Sequence, residues 1–198
     1  MTEQELNAPT ISEQKSALRA QVLALRDAMP VAERQAAAET IAARGLPVEV
    51  PPGAIVSGFM PMKTEINPLL LLRKLTEAGA LLALPAIDGR GKPLIMRAWK
   101  IGDAFKAGQW GIREPVPEAP EVAPDFVIVP LAAFDREGQR IGYGAGYYDM
   151  TLAALRAEKK VIAIGMAFAV QEIPQVPATD RDERLDFVLT EREIIAFR

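Results

Sequence analysis

Short apolar segments alternate with helical segments along most of this chain, and this alternation is the strongest constraint on its fold. The segments that predict strands are AIVSGFMP, ALLALPAI, LIMRAW, DFVIVPLAAF, KVIAIGMAF, FVLT and EIIAF. Strands separated by helices indicate an α/β domain built in layers around a largely parallel central sheet. Ligands of such folds gather at the carboxyl ends of the strands. Four segments fall at those ends: MPMKTE, PAI, VPLAAFD and MAFAVQ.

Four helices are predicted from apolar periodicity and from residues typical of helix ends. The first covers residues 10–29, with Ser12 as its N-cap. Its predicted apolar face consists of Ile11, Leu18, Val22, Leu25 and Met29. The second starts after Pro30 and ends at Gly45, the third is NPLLLLRKLTEAG with Asn67 as N-cap, and the fourth covers Tyr147–Ala157. The irregular, proline-rich stretch 100–124 predicts a long functional loop.

Length and charge bound the class of protein. The 198 residues predict one domain spanning 1–198, with residues 1–9 as a disordered or loosely attached segment. The net charge of -3 argues against nucleic acid as a partner. No apolar run approaches the length of a membrane span, and the polar N-terminus does not resemble a signal peptide. We therefore expect no membrane partner and a cytoplasmic location.

The chain contains no histidine and no cysteine, which excludes several kinds of chemistry. Ser-His-Asp and Cys-His catalytic arrangements and the usual zinc sites cannot form within it. Proton carriers must be Asp, Glu, Lys, Tyr or the substrate, and a bound metal must be held by oxygen, which favours Mg²⁺. Catalysis by positioning and electrostatics is indicated, and phosphoryl transfer is the leading example.

A glycine loop precedes the fourth predicted helix and follows Arg140. It reads Gly142, Tyr143, Gly144, Ala145, Gly146, and Tyr147 and Tyr148 come next. Glycines let backbone amides approach a ligand, and a helix N-terminus favours phosphate. The loop matches neither the Walker A nor the GxGxxG pattern. From the residues alone, a tight structural turn and a ligand loop both remain open.

A basic edge on the first helix is a second candidate. Lys15, Arg19 and Arg26 fall within an arc of about 40° at helical spacing. They border the predicted apolar face, so they can either line a cleft or form a solvated flank whose stems lie along the surface.

Carboxylates and aromatic residues supply further candidates. Asp149, beside the glycine loop, is the best candidate for a Mg²⁺ ligand. Glu65, Glu114, Asp182 and Asp186, each taken alone, are typical of surface or capping positions. Four aromatic side chains can either stack on a planar ligand or pack in the core. These are Trp99, Trp110, Tyr147 and Tyr148.

The segment VPLAAFDREGQRIGYGAGYYD resembles the signature of the 5-formyltetrahydrofolate cyclo-ligase family, also called methenyltetrahydrofolate synthetases. The resemblance extends in the family's order from Lys15 to Glu191. It includes KSALR, MPMKTEI, LALPAI, GIREP and AFAVQEIPQVPATDRDERLDFVLTE. It implies a three-layer α/β/α domain and the ATP- and Mg²⁺-dependent closure of 5-formyltetrahydrofolate to 5,10-methenyltetrahydrofolate, with release of ADP and phosphate.

The resemblance also implies roles for individual residues. Lys15 and Arg19 match residues that hold ATP phosphates, and Asp149 and Asp182 match Mg²⁺ ligands. Met62 and Glu65 match residues that face the pterin. The nucleotide loop matches Arg140, Gly142, Tyr143, Gly144, Ala145, Gly146, Tyr147 and Tyr148. Of these, Arg140 and Tyr148 are the predicted catalytic residues, and Tyr148 is also expected to reach the substrate.

Two positions depart from the family pattern. Many members carry Lys, Arg or Gly where this chain has Ala145, and many carry His where it has Arg181. The alternatives are a related ATP-dependent enzyme with another substrate, a non-catalytic folate- or nucleotide-binding protein, and a sugar-phosphate isomerase-like domain. A monomer is expected, with a dimer as the alternative.

Overall fold

The computed structural model describes residues 9–197, except the side chain of Trp110. The predicted loosely attached segment 1–9 thus lies outside the described residues apart from Pro9. None of the helices in residues 9–197 is long and apolar enough to cross a membrane.

The described residues form four α-helices and eleven strands, close to the predicted elements. The helices are α1 (Ile11–Asp27), α2 (Val31–Arg44), α3 (Leu69–Glu77) and α4 (Tyr147–Glu158). The strands are β1 (Ile55–Ser57), β2 (Leu81–Ala86), β3 (Ile95–Trp99), β4 (Phe105–Ala107), β5 (Arg113–Pro115), β6 (Phe126–Pro130), β7 (Ala133–Phe134), β8 (Arg140–Ile141), β9 (Ile162–Met166), β10 (Phe187–Leu189) and β11 (Ile194–Ala196).

Seven strands form the central sheet in the order β11-β10-β9-β6-β1-β2-β3. The five inner strands, from β10 to β2, run parallel. The edge strands β3 and β11 pair antiparallel. The predicted largely parallel sheet is therefore confirmed.

Helices cover both faces of this sheet. On one face, Ile41 of α2 and Leu72 of α3 join the core cluster that contains Ile128 of β6. On the other face, Leu152 of α4 joins the cluster that contains Val127, the neighbouring residue of β6. Alternate residues of one buried strand thus serve opposite cores. The predicted three-layer α/β/α domain is confirmed.

Helix α1 packs outside these two cores. Its buried Val22 joins a third cluster with Ala133 and Ile141 of the β7–β8 ribbon. The predicted apolar face was partly wrong, because Ile11 is 40% exposed and Leu25 is 55% exposed. The helix is rotated so that Val22 and the charged Arg26 are its buried residues.

The N-cap of α1 also differs from the prediction. Thr10, not Ser12, caps the helix: its Oγ1 accepts from the Glu13 amide at 3.2 Å. The Glu13 carboxylate accepts from the Thr10 amide at 2.8 Å. The spacing Thr-x-x-Glu is the capping-box signal that identifies this start.

The stretch 100–124 is more regular than predicted. It contains an antiparallel ribbon, in which β4 pairs with β5. Buried Glu114 of β5 accepts from the Ile87 amide at 3.2 Å and lies 3.4 Å from Lys106 Nζ. Glu114 therefore fastens this ribbon to the end of β2, which is a structural role.

A cavity of about 660 Å³ lies at the amino ends of β1 and β2. Ile55, Leu81 and Trp99 are among its lining residues, which are mostly apolar. None of the predicted site residues lines it. Volume alone therefore does not locate the polar site, which lies at the opposite edge.

Candidate active site

The predicted site residues lie on segments that leave the carboxyl ends of the parallel strands or face them. Met62 and Glu65 follow β1, and Asp182 follows β9. Arg140 and the glycine loop follow β6 by way of the β7–β8 ribbon. This is the edge at which a parallel α/β sheet offers a binding cleft.

The three cations of α1 contact two of the segments that border this edge, the glycine loop and the segment that carries Asp182. Lys15 Nζ donates to Asp182 Oδ1 at 2.5 Å. Arg19 Nε donates to the Gly142 carbonyl at 2.7 Å. Arg26 Nη1 donates to the Tyr143 hydroxyl at 2.7 Å. The basic edge is thus engaged in contacts with the candidate site and is not a solvated flank.

The glycine loop is open on the side where a ligand would lie. Gly144 has φ 99° and Gly146, the N-cap of α4, has φ 67°, conformations that favour glycine. Gly142 does not have a positive φ, and a Cβ added there would meet nothing within 4 Å. Neither backbone strain nor packing therefore requires glycine at position 142. A ligand that approaches the backbone closely would require it.

Ala145 leaves the loop without the cation that many family members have there. Ala145 is exposed, but Arg19 lies over the adjacent residue. A Cβ built on Gly144 would lie 3.8 Å from the Arg19 guanidinium. A cation from α1 therefore lies beside the centre of the loop.

Arg140 is the most unusual side chain of the site. It is 3% exposed, and its Nη1 donates to Asp149 Oδ1 at 2.8 Å. Its Nε and Nη2 are buried and have no hydrogen-bond partner among the described residues. Buried donors without partners cost stability, and native structures rarely retain them without a functional reason.

The two predicted metal ligands differ in how their oxygens are engaged. Asp182 accepts from Lys15 through Oδ1 and from the Thr179 amide and hydroxyl through Oδ2, at 2.6 and 2.9 Å. Burial alone would raise the pKa of Asp182, but these hydrogen bonds outweigh it and lower the pKa. Asp182 is therefore a carboxylate that fixes Lys15.

The two carboxylate oxygens of Asp149 differ in their hydrogen bonds. Its Oδ1 accepts from Arg140 and from the Glu183 amide, whereas its Oδ2 accepts no hydrogen bond from residues 9–197. No group of three or more acidic side chains suited to a metal occurs in the described part of the chain. Mg²⁺ in nucleotide sites commonly takes one or two carboxylates and completes its shell with phosphates and water. These oxygens fit such a site, with Asp149 as the more available ligand.

Glu65 lies in a turn whose backbone it stabilises. Its Oε2 accepts from the Met62 amide at 2.7 Å. Burial raises the pKa of Glu65, although hydrogen bonds from Tyr143 and Met62 and the charge of Arg26 oppose the rise. Burial also raises the pKa of Tyr148, and the charge of Glu65 adds to that rise. Tyr148 is thus a neutral hydrogen-bond donor at physiological pH.

Among the remaining candidates, Trp99 and Asp186 have structural contacts. Trp99 is buried in the core and stacks on Phe105, with ring centroids 5.7 Å apart. Asp186 accepts from Arg156 at 2.9 Å and from the Ala163 amide at 2.8 Å. Arg181 is exposed. Tyr147 is half-buried on the first turn of α4, and the side chain of Trp110 lies outside the described residues.

Residue-level reasoning missed the interactions of Arg26. Besides Tyr143, it contacts Thr64, whose Oγ1 accepts from Arg26 Nε at 3.1 Å. Its place on the basic edge was visible in the spacing. Its burial was not, because the partner hydroxyls lie 38 and 117 residues away.

Comparison with known families agrees with the geometry. The model of the 5-formyltetrahydrofolate cyclo-ligase family matches residues 11–191. A 5-formyltetrahydrofolate cyclo-ligase of Mycolicibacterium smegmatis is 34% identical over 194 residues, which cover 93% of this chain and 97% of that protein. The enzyme of the same name from Haemophilus influenzae is 31% identical over 63% of this chain and 69% of its own.

Solved structures extend the comparison to the fold. The 5,10-methenyltetrahydrofolate synthetase of Aquifex aeolicus superposes with a TM-score of 0.74 at 29% identity, covering 93% of each chain. A 5,10-methenyltetrahydrofolate synthetase of Mycoplasma pneumoniae gives a TM-score of 0.69 at 22% identity, covering 89% of this chain and 98% of its own. At that identity the second match supports the fold alone.

Proposed function

The chain belongs to the 5-formyltetrahydrofolate cyclo-ligase family, and from this premise we propose that it couples ATP cleavage to the cyclisation of 5-formyltetrahydrofolate. The products are 5,10-methenyltetrahydrofolate, ADP and phosphate, and Mg²⁺ accompanies the nucleotide. The supporting observation is buried Arg140, whose two unpartnered nitrogens lie in the side chain that holds Asp149. Such donors suit an anion that carries several oxygens.

In the first step, the formyl oxygen attacks the γ-phosphorus of ATP and ADP leaves. In the transition state, charge is spread over the three equatorial oxygens of the transferred group, so fixed donors aimed at those oxygens stabilise it. Arg140 supplies unpaired N–H groups, Lys15 and Arg19 supply charge, and the N-terminus of α4 supplies backbone amides. When bound, Mg²⁺ would neutralise phosphate charge, and Asp149 would hold it with support from Asp182.

In the second step, N10 of the folate attacks the activated formyl carbon, the bond from that carbon to the phosphate oxygen breaks, and the departing phosphate takes the N10 proton. The protein's task is again to keep the reacting atoms in line. In this proposal Glu65 accepts N–H groups of the pterin, and Tyr148 donates a hydrogen bond through its neutral hydroxyl. The absence of histidine is compatible with this chemistry, because phosphate is a competent leaving group without a strong side-chain acid.

The same residues allow three alternative functions to be compared with the proposed one. A folate- or nucleotide-storage protein would not need buried, unpaired donors, because they reduce stability. A sugar-phosphate isomerase would require a positioned base, for which Glu65 is the candidate, but it would need no metal ligand such as Asp149 beside Arg140. A related ATP-dependent enzyme with another substrate shares the phosphate residues and is distinguished only by assay.

The decisive assay is turnover. The protein is incubated with 5-formyltetrahydrofolate and MgATP while methenyl absorbance and ADP release are followed. We expect equal amounts of both products. ADP release without methenyl formation would indicate another acceptor, and no turnover by a folded sample would refute the proposal.

The metal role of Asp149 needs a readout besides activity. In Asp149→Asn, we expect weaker Mg²⁺ dependence of nucleotide binding, measured by calorimetry at several Mg²⁺ concentrations. Asp186→Asn is the matched control, because Asp186 accepts from Arg156 away from the glycine loop. An unchanged Mg²⁺ dependence in Asp149→Asn would remove the metal role.

A further inference from the structure

Arg26 is buried between two walls of the site, and the steps above give it no task. It is 3% exposed, and its guanidinium carbon lies 5.9 Å from the centroid of the Tyr143 ring. Its two hydrogen bonds go to Tyr143, in the glycine loop, and to Thr64, next to Glu65. One cation therefore contacts both the nucleotide loop and the turn expected to bind folate.

The partners of Arg26 argue against a phosphate role for it. Both are neutral hydroxyl groups, and the side chain itself is only 4% exposed. The Thr64 hydroxyl also donates to Asp27, whose carboxylate lies 3.8 Å from Arg26 Nε. Arg26 is thus enclosed in a network that joins α1 to the Thr64–Glu65 turn.

Tyr143 continues this network to Glu65. Its hydroxyl accepts from Arg26, so its own proton is available to another acceptor. The Leu131 carbonyl is one such acceptor, at 3.5 Å. Burial raises the pKa of Tyr143 first, and the charge of the nearby Glu65 carboxyl raises it further. The tip of the glycine loop therefore interacts with the carboxyl predicted to face the pterin.

We propose that Arg26 and Tyr143 are positioning residues that couple the two substrate sites. Arg26 ties the glycine loop to the Thr64–Glu65 turn, so the loop conformation that binds nucleotide also orients the Glu65 carboxyl for folate. The inference rests on the proposed function and adds a relation between its two sites. Coupling of this kind is reciprocal: each substrate increases the affinity for the other by the same factor.

Tyr143→Phe tests the coupling with the smallest change. Tyr143 as a residue is 42% exposed, and the substitution keeps its ring and the backbone amides of the loop while removing only the hydroxyl. The dissociation constant of 5-formyltetrahydrofolate is measured by calorimetry with and without Mg²⁺ and a non-hydrolysable ATP analogue. We expect the analogue to tighten folate binding to the wild type by about fivefold or more. In Tyr143→Phe we expect this factor to fall below about twofold.

A second variant tests the other end of the network. Arg26→Lys keeps the charge, but an ammonium group lacks the planar guanidinium geometry that donates to two hydroxyls at once. The coupling factor of this variant should therefore also fall below about twofold. Arg44→Lys is the control, because Arg44 donates to the Thr190 and Glu191 carbonyls in another part of the molecule. Its coupling factor should equal that of the wild type.

The outcomes separate the two proposals. A wild type that turns over folate but shows no coupling, or a Tyr143→Phe variant with undiminished coupling, overturns the inference and leaves the proposed function intact. A folded wild type that neither binds nor cyclises the folate removes both. Unfolding curves of each variant identify any loss of coupling that follows only from loss of structure.

Discussion

Two ion pairs at opposite edges of the sheet show how a structural pair differs from a functional one. At the amino edge, Asp125 accepts from Lys159 at 2.5 Å through one oxygen and from the Ile55 amide at 2.8 Å through the other. At the carboxyl edge, Arg140 pairs with Asp149 but leaves two nitrogens without partners. The first pair is complete within the protein, whereas the second is arranged for a ligand.

Exposure reinforces the contrast. The side chains of Asp125 and Lys159 are 37% and 34% exposed, so water can compensate for imperfect geometry. Arg140 is 3% exposed and has no such compensation. The unpartnered donors of Arg140 thus reduce the free energy of unfolding. Such a cost is typical of sites that are organised before the ligand binds.

The largest expected effect comes from Arg140. In Arg140→Met we expect kcat to fall by about 10²–10³-fold, because fixed donors to the transferred phosphoryl group are lost. The free energy of unfolding should fall by less than about 2 kcal/mol, since the change also removes two unpartnered buried donors. Lys159→Met is the mirror experiment, with wild-type kcat and a loss of about 1 kcal/mol. Wild-type kcat in Arg140→Met would erase the distinction between the two pairs.

A smaller effect is expected from the α1 cations. Lys15→Ala and Arg19→Ala should each raise the KM for ATP by about tenfold, because one charge-assisted contact is lost, and change the KM for folate less. Lys92→Ala is the control: Lys92 forms a surface pair with Asp88 and its side chain is 61% exposed. If both α1 variants retained the wild-type KM for ATP, the basic edge would have a structural role only.

Two glycine-to-alanine substitutions, each of which adds one methyl group, test the difference between the site and the core. Gly142→Ala should leave stability unchanged and raise the KM for ATP a few-fold, because a Cβ there meets only open space. Gly165→Ala should lower the free energy of unfolding by about 1–3 kcal/mol, since its Cβ would lie 2.8 Å from Leu131 and Leu185. The reverse pattern would show that the loop glycines serve packing.

The smallest expected effects concern how the free energy of unfolding depends on pH. Ionisation of two carboxyls, Asp125 and Glu65, should change it in opposite directions. For Asp125, burial alone would raise the pKa, but hydrogen bonds from Lys159 and the Ile55 amide lower it. Its contribution to stability is therefore present above its unfolded pKa of about 3.9 and lost as pH falls through the lowered value. For Glu65, burial raises the pKa, so its ionisation opposes folding as pH rises above about 4.3.

Urea denaturation between pH 3 and 7 measures both effects. Asp125→Asn should lower the free energy of unfolding at pH 7 by about 0.5–1 kcal/mol after solvent screening. Glu65→Gln should leave that free energy unchanged or raise it at pH 7. Both differences should shrink toward pH 3. Equal signs in the two variants at pH 7 would contradict the assignment of one carboxyl to structure and the other to a site.

The inner strands were predictable because they are buried on both faces. Phe126–Pro130 and Ile162–Met166 consist almost entirely of apolar residues, which is the signal of a central parallel strand. The β4–β5 ribbon was not predictable, because Phe-Lys-Ala and Arg-Glu-Pro have neither length nor alternation. Buried Glu114 links the ribbon to Ile87, at the end of β2, and such a tertiary contact cannot be inferred from the local sequence.

The site was predictable in composition but not in its contacts. The glycine loop, Arg140 and Asp149 lie within ten residues of one another, so their proximity follows from the chain. The rotation of α1 does not follow from its apolar pattern, which favoured Leu25 over Arg26 for burial. The hydroxyls of Thr64 and Tyr143 make Arg26 the buried residue, and a helical pattern contains no information about them.

The position of α1 also has a consequence for the order of folding. The contacts from Lys15, Arg19 and Arg26 to Asp182, Gly142 and Tyr143 span 167, 123 and 117 residues of chain. Closing such long loops is slower than forming local contacts, so these contacts belong among the late events of folding. During synthesis, Lys15 cannot reach its partner until residue 182 has left the ribosome. Strands β1 to β9 are therefore synthesised before the contact between Lys15 and Asp182 can form.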